Sequence, residues 1–102
     1  MANEFKNYTD TSVGTSPSTA YTVGASTTAV MIGMTIANTA ASTIKVDVQC
    51  AGAYLVKGAP IPAGSALSVL DGKIILETGN TVVITSDTAS SADTIISVLE
   101  QT

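Results

Sequence analysis

The sequence has no histidine, no arginine and no tryptophan, a single cysteine and phenylalanine, and only 12% charged residues. Each shortage excludes something. Without histidine the commonest general base is missing, and with it the Ser-His-Asp and Cys-His arrangements of nucleophilic catalysis. One cysteine, Cys50, excludes an intrachain disulfide and any cysteine-based zinc site. Phosphate binding depends on clustered Lys and Arg, whereas the four lysines, Lys6, Lys45, Lys57 and Lys73, are scattered through a chain of net charge −4, so no nucleic-acid partner is expected. No apolar run is long enough for the roughly 20 residues of a membrane helix; the longest is "AVMIGMTIA". The start, "MANEFKNYTD", has no basic segment followed by an apolar run and a small-residue cleavage site, so the sequence predicts a soluble product made without a secretion signal.

What the chain has in abundance is small and hydroxyl-bearing: sixteen Thr, eleven Ser and fourteen Ala in 102 residues. With 45% hydrophobic residues, this length fits one domain with one core and a mostly uncharged surface suited to packing against other protein. Residues 1–24 are rich in Thr, Ser, Gly and Pro, with Phe5, Tyr8, Val13 and Tyr21 as isolated apolar anchors, and read as an N-terminal arm or edge strand. Residues 25–102 read as a β-sandwich domain.

From Ala29 onward the period is two. Val30, Ile32, Met34 and Ile36 are expected on one face of a strand, and Ile44, Val46, Val48 and Cys50 on one face of the next, with "NTAAS" short enough to join them as a hairpin. "AYLVK" offers another strand. Ile61-Pro62-Ala63-Gly64 predicts a type I turn with Pro62 at the second position and Gly64 at the fourth. Asp71-Gly72 predicts a two-residue hairpin between "ALSVL" and "KIIL", and "ETGN" a further turn into "TVVIT". At the end, the β-branched Thr94, Ile95, Ile96 and Val98 favour a strand over a short helix capped by Ser90 or Ser91. About seven or eight short strands with turns every 8 to 12 residues predict an all-β fold, a single antiparallel β-sandwich with an extended N-terminal arm. Strand count leaves jelly-roll and immunoglobulin-like windings both open.

Few residues suggest chemistry. Cys50 lies on an apolar face beside Val48, a setting for packing rather than for a reactive thiolate. Asp87 and Asp93, with the hydroxyls of Ser86, Thr88, Ser90 and Ser91, lack the carboxylate spacing of a calcium loop and read as an Asx- or Ser-turn segment. Asn7-Tyr8-Thr9 matches the glycosylation acceptor pattern but needs secretion. Neither "VGTSPS" nor "LETGN" has the lysine and the strand-to-helix context of a phosphate loop. With twenty-seven hydroxyl residues, a serine near a lysine is expected by chance. Tyr8, Tyr21 and Tyr54 are of the type that stacks on sugars or bases, but three tyrosines spread along the chain are more often packing or interface residues and are read so. The residues assign no catalytic, cofactor-binding or metal-ligating position.

One stretch carries a further signal. Its elements are a lysine-ended strand before Ala59-Pro60, Ile61-Pro62-Ala63-Gly64, Leu70-Asp71-Gly72-Lys73, the turn Leu76-Glu77-Thr78-Gly79-Asn80, and a closing Ile96-Ser97-Val98-Leu99-Glu100. In these, residues 53 to 100 resemble a small virion structural protein of tailed bacteriophages, especially those of marine and cyanobacterial hosts. The family often has Ala-Gly-Asp where this chain has Thr78-Gly79-Asn80, a change that Asn tolerates in the same turn. The first half resembles the family only in its Thr/Ser/Ala-rich alternation. The resemblance implies a non-enzymatic particle component made in the host cytoplasm and resident in the virion, without catalytic, cofactor or metal residues. Its role would be a capsid decoration or cement protein, or alternatively a neck, tail or fibre component, including a receptor- or glycan-binding sandwich. Its partners would be other virion proteins, such as the major capsid protein or tail and neck proteins, and further copies of itself as a homo-oligomer.

Overall fold

The computed structural model describes residues 2–70 and 72–102. It is all-β, and nine strands follow in order: β1 (Asn3–Val13), β2 (Ser18–Thr22), β3 (Thr28–Asn38), β4 (Ile44–Cys50), β5 (Ala53–Ile61), β6 (Ala66–Ser68), β7 (Ile74–Leu76), β8 (Thr81–Ser86) and β9 (Ala92–Gln101). The architecture is simplest to see as one long antiparallel ribbon. β1 pairs with β9, β2 with β8, β3 with both β6 and β7, and β4 with β5. The ribbon's tip is the β4–β5 hairpin. At its open end the two termini are tied by hydrogen bonds between Ala2 and Thr102, at 3.1 and 3.0 Å.

Folding this ribbon over itself adds two more antiparallel pairs, β9 with β3 and β8 with β4. The result is two packed sheets: the first has the order β1-β9-β3 with β6 and β7 sharing its far edge, and the second the order β2-β8-β4-β5. This is the jelly-roll winding, which decides between the two connectivities that strand count left open. Residues 3–13 and 18–22 form the outer columns of the two sheets beside β9 and β8.

Between the sheets, Met31, Met34, Ile36, Ile96 and Val98 of the first meet Ile44, Val46, Val48, Val82 and Ile84 of the second, all buried. Burying a side chain of this size contributes about 1.5–3 kcal/mol each, so this interlayer is the main source of stability. The expected faces of β4 and the strand character of the last segment agree with the structure.

Four local expectations are corrected. In β3 the inward residues are Ala29, Met31, Met34, Ile36 and Asn38, while Val30 and Ile32 face outward, because a bulge between Met31 and Gly33 resets the alternation. "NTAAS" is not a hairpin: it carries the chain from β3 in the first sheet to β4 in the second. The reversal near Pro62 is displaced by one residue, since the Ser65 N–H donates to the Pro62 carbonyl at 3.1 Å. Gly64, with φ of 75°, therefore occupies the third position, where a type II turn needs positive φ. The fourth concerns Asp71-Gly72. Asp71 lies outside the described residues, but the flanking strands do not pair with each other. β6 and β7 both run antiparallel to β3, opposite residues 35–37 and 29–31, as one interrupted edge. The "ETGN" turn is present, closed by Asn80 N–H to Glu77 carbonyl at 3.0 Å, and it joins the two sheets.

The tight hairpin between β4 and β5 is unmarked by the usual residues. Ala51 and Gly52 connect β4 to β5 with φ of 51° and 83°, the two positive values of a type I′ turn. An alanine in that conformation carries a steric penalty of about 1–2 kcal/mol, which asparagine largely avoids. Ala51 is exposed, so Ala51→Asn is expected to raise stability by about 0.5–1 kcal/mol, read as a higher thermal midpoint. A lowered midpoint would contradict this turn assignment.

Candidate functional site: the outer face of the β1-β9-β3 sheet

Among the described residues, the ionisable side chains are held singly or in small, separate groups. At the margin where β1 and β2 bring the two sheets together, Glu100 Oε2 accepts hydrogen bonds from the Tyr8 and Tyr21 hydroxyls, at 2.9 and 2.5 Å, while Lys6 Nζ lies 3.3 Å from Oε1. The tyrosine rings pack at 4.6 Å between centroids. The Tyr21 hydroxyl foremost, then Tyr8 and Lys6, hold the Glu100 carboxyl below its ordinary range, and burial pushes both tyrosines up. The bond to Glu100 is the main reason Lys6 is raised. This cluster clamps the two layers and leaves no free acid or base.

On the second sheet, Asp47 accepts the Gly58 N–H at 2.6 Å and lies 3.8 Å from Lys57, whose ammonium sits 4.5 Å above the Tyr54 ring. Asp87 and Asp93 do not converge. Asp87 Oδ1 accepts the Lys45 N–H at 3.1 Å, the chief reason its carboxyl is lowered, and Asp93 accepts the Ser12 N–H at 2.9 Å. The loop between them turns inward, with Ser86 and Ser91 buried and their hydroxyls bonded at 2.5 Å. Cys50 is buried, and burial pushes its thiol up. Asn7 accepts the Ser97 hydroxyl at 2.7 Å. Lys6 and Lys57 face carboxylates and a tyrosine rather than a serine. Among the described residues no three His, Cys, Asp or Glu side chains come together, and no buried side-chain nitrogen or oxygen lacks a partner.

The feature that stands out is a surface. On the outer side of the first sheet, register places Phe5 beside Leu99, Leu99 beside Val30, and Val30 beside Ile75. One apolar row thus crosses every column. Its marginal members protrude, Phe5 at 77% and Ile75 at 69% exposure, and Leu99 and Val30 join them into one continuous row. Next to it lies a row of Asn7, Ser97 and Gly33 with the bulged Ile32, and then one of Thr9, Ile95, Thr35 and Ser68. Phe5, Asn7, Ile32, Ser97 and Val98, with Lys6 as the one charged residue, line a shallow hollow of about 230 Å³. Thr9, Thr35, Ala37 and Ile95 line a second of about 280 Å³. Among the strand residues of this face the only ionisable group is Asp93, already bonded to Ser12. The outer face of the second sheet carries Lys45, Asp47 and Lys57. The molecule thus presents one charged face and one that is apolar and hydroxylated.

In the sequence Phe5 stands only as an isolated anchor, and the alternation puts Val30 and Ile32 on the same strand face as Met34 and Ile36. The row unites residues from four separated segments, so no linear pattern marks it. The arrangement defines an antiparallel jelly roll with two chemically unequal outer faces. Comparison with protein-family models, curated proteins and solved structures finds no match to this chain.

Proposed function

We propose that the chain is a non-enzymatic structural protein of a bacteriophage particle, assembling in many copies on the capsid as a decoration or cement protein through protein–protein contacts. The observation that carries this reading is the nearly uncharged outer face of the first sheet, with its row Phe5, Leu99, Val30 and Ile75. Such a face suits contact with protein, where burial of apolar area drives association and charge is depleted at the centre. The resemblance of residues 53–100 to phage virion proteins supports the phage assignment. The winding is compatible, since jelly rolls serve in viral shells and also in lectins, although fold alone does not fix function. Many copies make each contact count through avidity, so a single face of modest area suffices.

A neck, tail or fibre position is the alternative within the same class. The glycan-binding form of it has less support, because Tyr8 and Tyr21 are turned into the Glu100 cluster and Tyr54 stands alone beside Lys57. Quantitative mass spectrometry of purified particles of the phage that encodes the chain separates these roles. On the order of hundreds of copies per particle is the expected result for a shell component, and about a dozen or fewer would move it to the tail axis. Absence from the particle would overturn the proposal.

A further inference from the structure

We infer that the outer face of the first sheet is a self-association surface, and that its occupant is a second copy of this chain related by a two-fold axis parallel to the strands. Three observations favour a second copy. The first is charge: the chain carries −4, and Asp93, engaged by Ser12, is the one ionisable group on the strands of this face. Two copies meeting there bring almost no like charge together, whereas the second sheet would oppose Lys45 to Lys45 and Asp47 to Asp47 in some registers.

The second is symmetry. The axis named lays β1 over the partner's β6 and β7 edge, and β9 over the partner's β3, because the columns run β1-β9-β3-β6/β7. Phe5 then meets the partner's Ile75, and Leu99 meets the partner's Val30, so the apolar row falls on itself in reverse order. The hydroxyl row of Thr9, Ile95, Thr35 and Ser68 likewise falls on its own counterpart. A two-fold contact requires this self-complementarity, and two stacked antiparallel sheets satisfy it with side chains interdigitating.

The third is area. Four columns about 4.8 Å apart and strands of ten residues give a face of roughly 600 Å² in projection, about 1,200 Å² for the pair. That is the lower bound of specific protein interfaces, enough for a reversible dimer.

The inference specifies one contact of the assembly proposed above but is tested on the purified full-length chain. Absence from particles would remove the phage reading and leave this one standing, and a strictly monomeric chain would do the reverse. Sedimentation equilibrium from about 1 to about 500 μM is expected to show a monomer–dimer equilibrium, the range an interface of this size suggests. Ile75→Glu and Phe5→Glu change protruding side chains at the sheet margins and are expected to raise the dissociation constant about tenfold or more, while Tyr54→Glu, on the other sheet, leaves it unchanged. Side-chain footprinting of the unmodified protein gives a second readout that no folding defect can confuse: Phe5 and Ile75 should become protected as the dimer fraction rises. A monomer throughout the range, a stoichiometry other than two, a dimer indifferent to both substitutions, or one in which Phe5 and Ile75 stay reactive, would each overturn the inference.

Discussion

Replacing Asn38 with alanine is expected to lower the free energy of unfolding by about 3–4 kcal/mol, a large share of the 5–15 kcal/mol that holds an ordinary domain together. Asn38 ends β3, where the chain leaves the first sheet for the second, and it is only 6% exposed. Its amide donates to the carbonyls of Ser42 and Ile61, both at 2.8 Å, and its Oδ1 accepts the Ala40 N–H at 2.8 Å. One side chain therefore satisfies three backbone groups, from the crossing loop and from the end of β5. Alanine leaves all three without that partner: the buried Ile61 carbonyl costs about 1–3 kcal/mol when unsatisfied, and the part-buried Ser42 carbonyl and Ala40 N–H add less each, because water reaches them. Aspartate is a sharper probe. It keeps the acceptor for Ala40 but sets a carboxylate against two carbonyl oxygens, so at neutral pH Asn38→Asp should be at least as damaging as alanine. It should recover as the pH falls and the carboxyl protonates. Urea denaturation with an unchanged m-value checks both variants. A loss below about 1 kcal/mol for Asn38→Ala would show that the loop finds other partners.

The second large effect lies at the opposite margin. Glu100→Ala is expected to cost about 2–3 kcal/mol, because the Tyr21 hydroxyl, on a side chain 4% exposed, loses a charged acceptor. Removing both members of the more buried bond, in Glu100→Leu with Tyr21→Phe, should cost less than the sum of the single changes, since the Tyr21 hydroxyl is no longer left without an acceptor.

The same cluster gives stability a pH dependence whose sign follows from the shifts. Glu100 is held below its ordinary 4.5 in the folded state, so its contribution is fully present above that pH and is lost as pH falls through the lower folded value. Tyr21 and Tyr8 are raised above 10.0, so their contribution is present below that pH and declines as the solution becomes more alkaline. Denaturation curves across pH should show both limbs, with the acid limb reduced in Glu100→Gln. An acid limb that survives unchanged in that variant would assign it to other carboxylates.

How far the sequence reveals this molecule depends on whether a feature is local. Ile44, Val46, Val48 and Cys50 alternate without interruption, so the core face of β4 is readable residue by residue. β3 shows the limit: its alternation is as clear, but the bulge at Ile32 is set by pairing with Ser97 of β9, far along the chain. Val30 and Ile32 therefore lie on the opposite face from Met34 and Ile36, with which the alternation groups them. Turn residues were similarly half informative. Gly64 and Gly79 mark real reversals. "NTAAS" and the strands around Asp71-Gly72 also mark breaks, but which strands pair across a break is decided by the folded ribbon, not by the residues at the break. Ala51 defines the tightest hairpin without the residue type that would announce it. The candidate site is the least readable feature, since Phe5, Val30, Ile75 and Leu99 become neighbours only through strand register.

The residues that matter for stability and those proposed for assembly are thus separate. Asn38 and Glu100 fasten the two layers at their margins, and the outer row can change without touching either. For the phage particle proposed above, the most direct test of assembly through that row is a reconstruction at a resolution that traces the strands. The account predicts repeated copies of this jelly roll with Phe5, Leu99, Val30 and Ile75 covered by a neighbouring molecule. Copies whose row faces open solvent, or a particle without the chain, would contradict it.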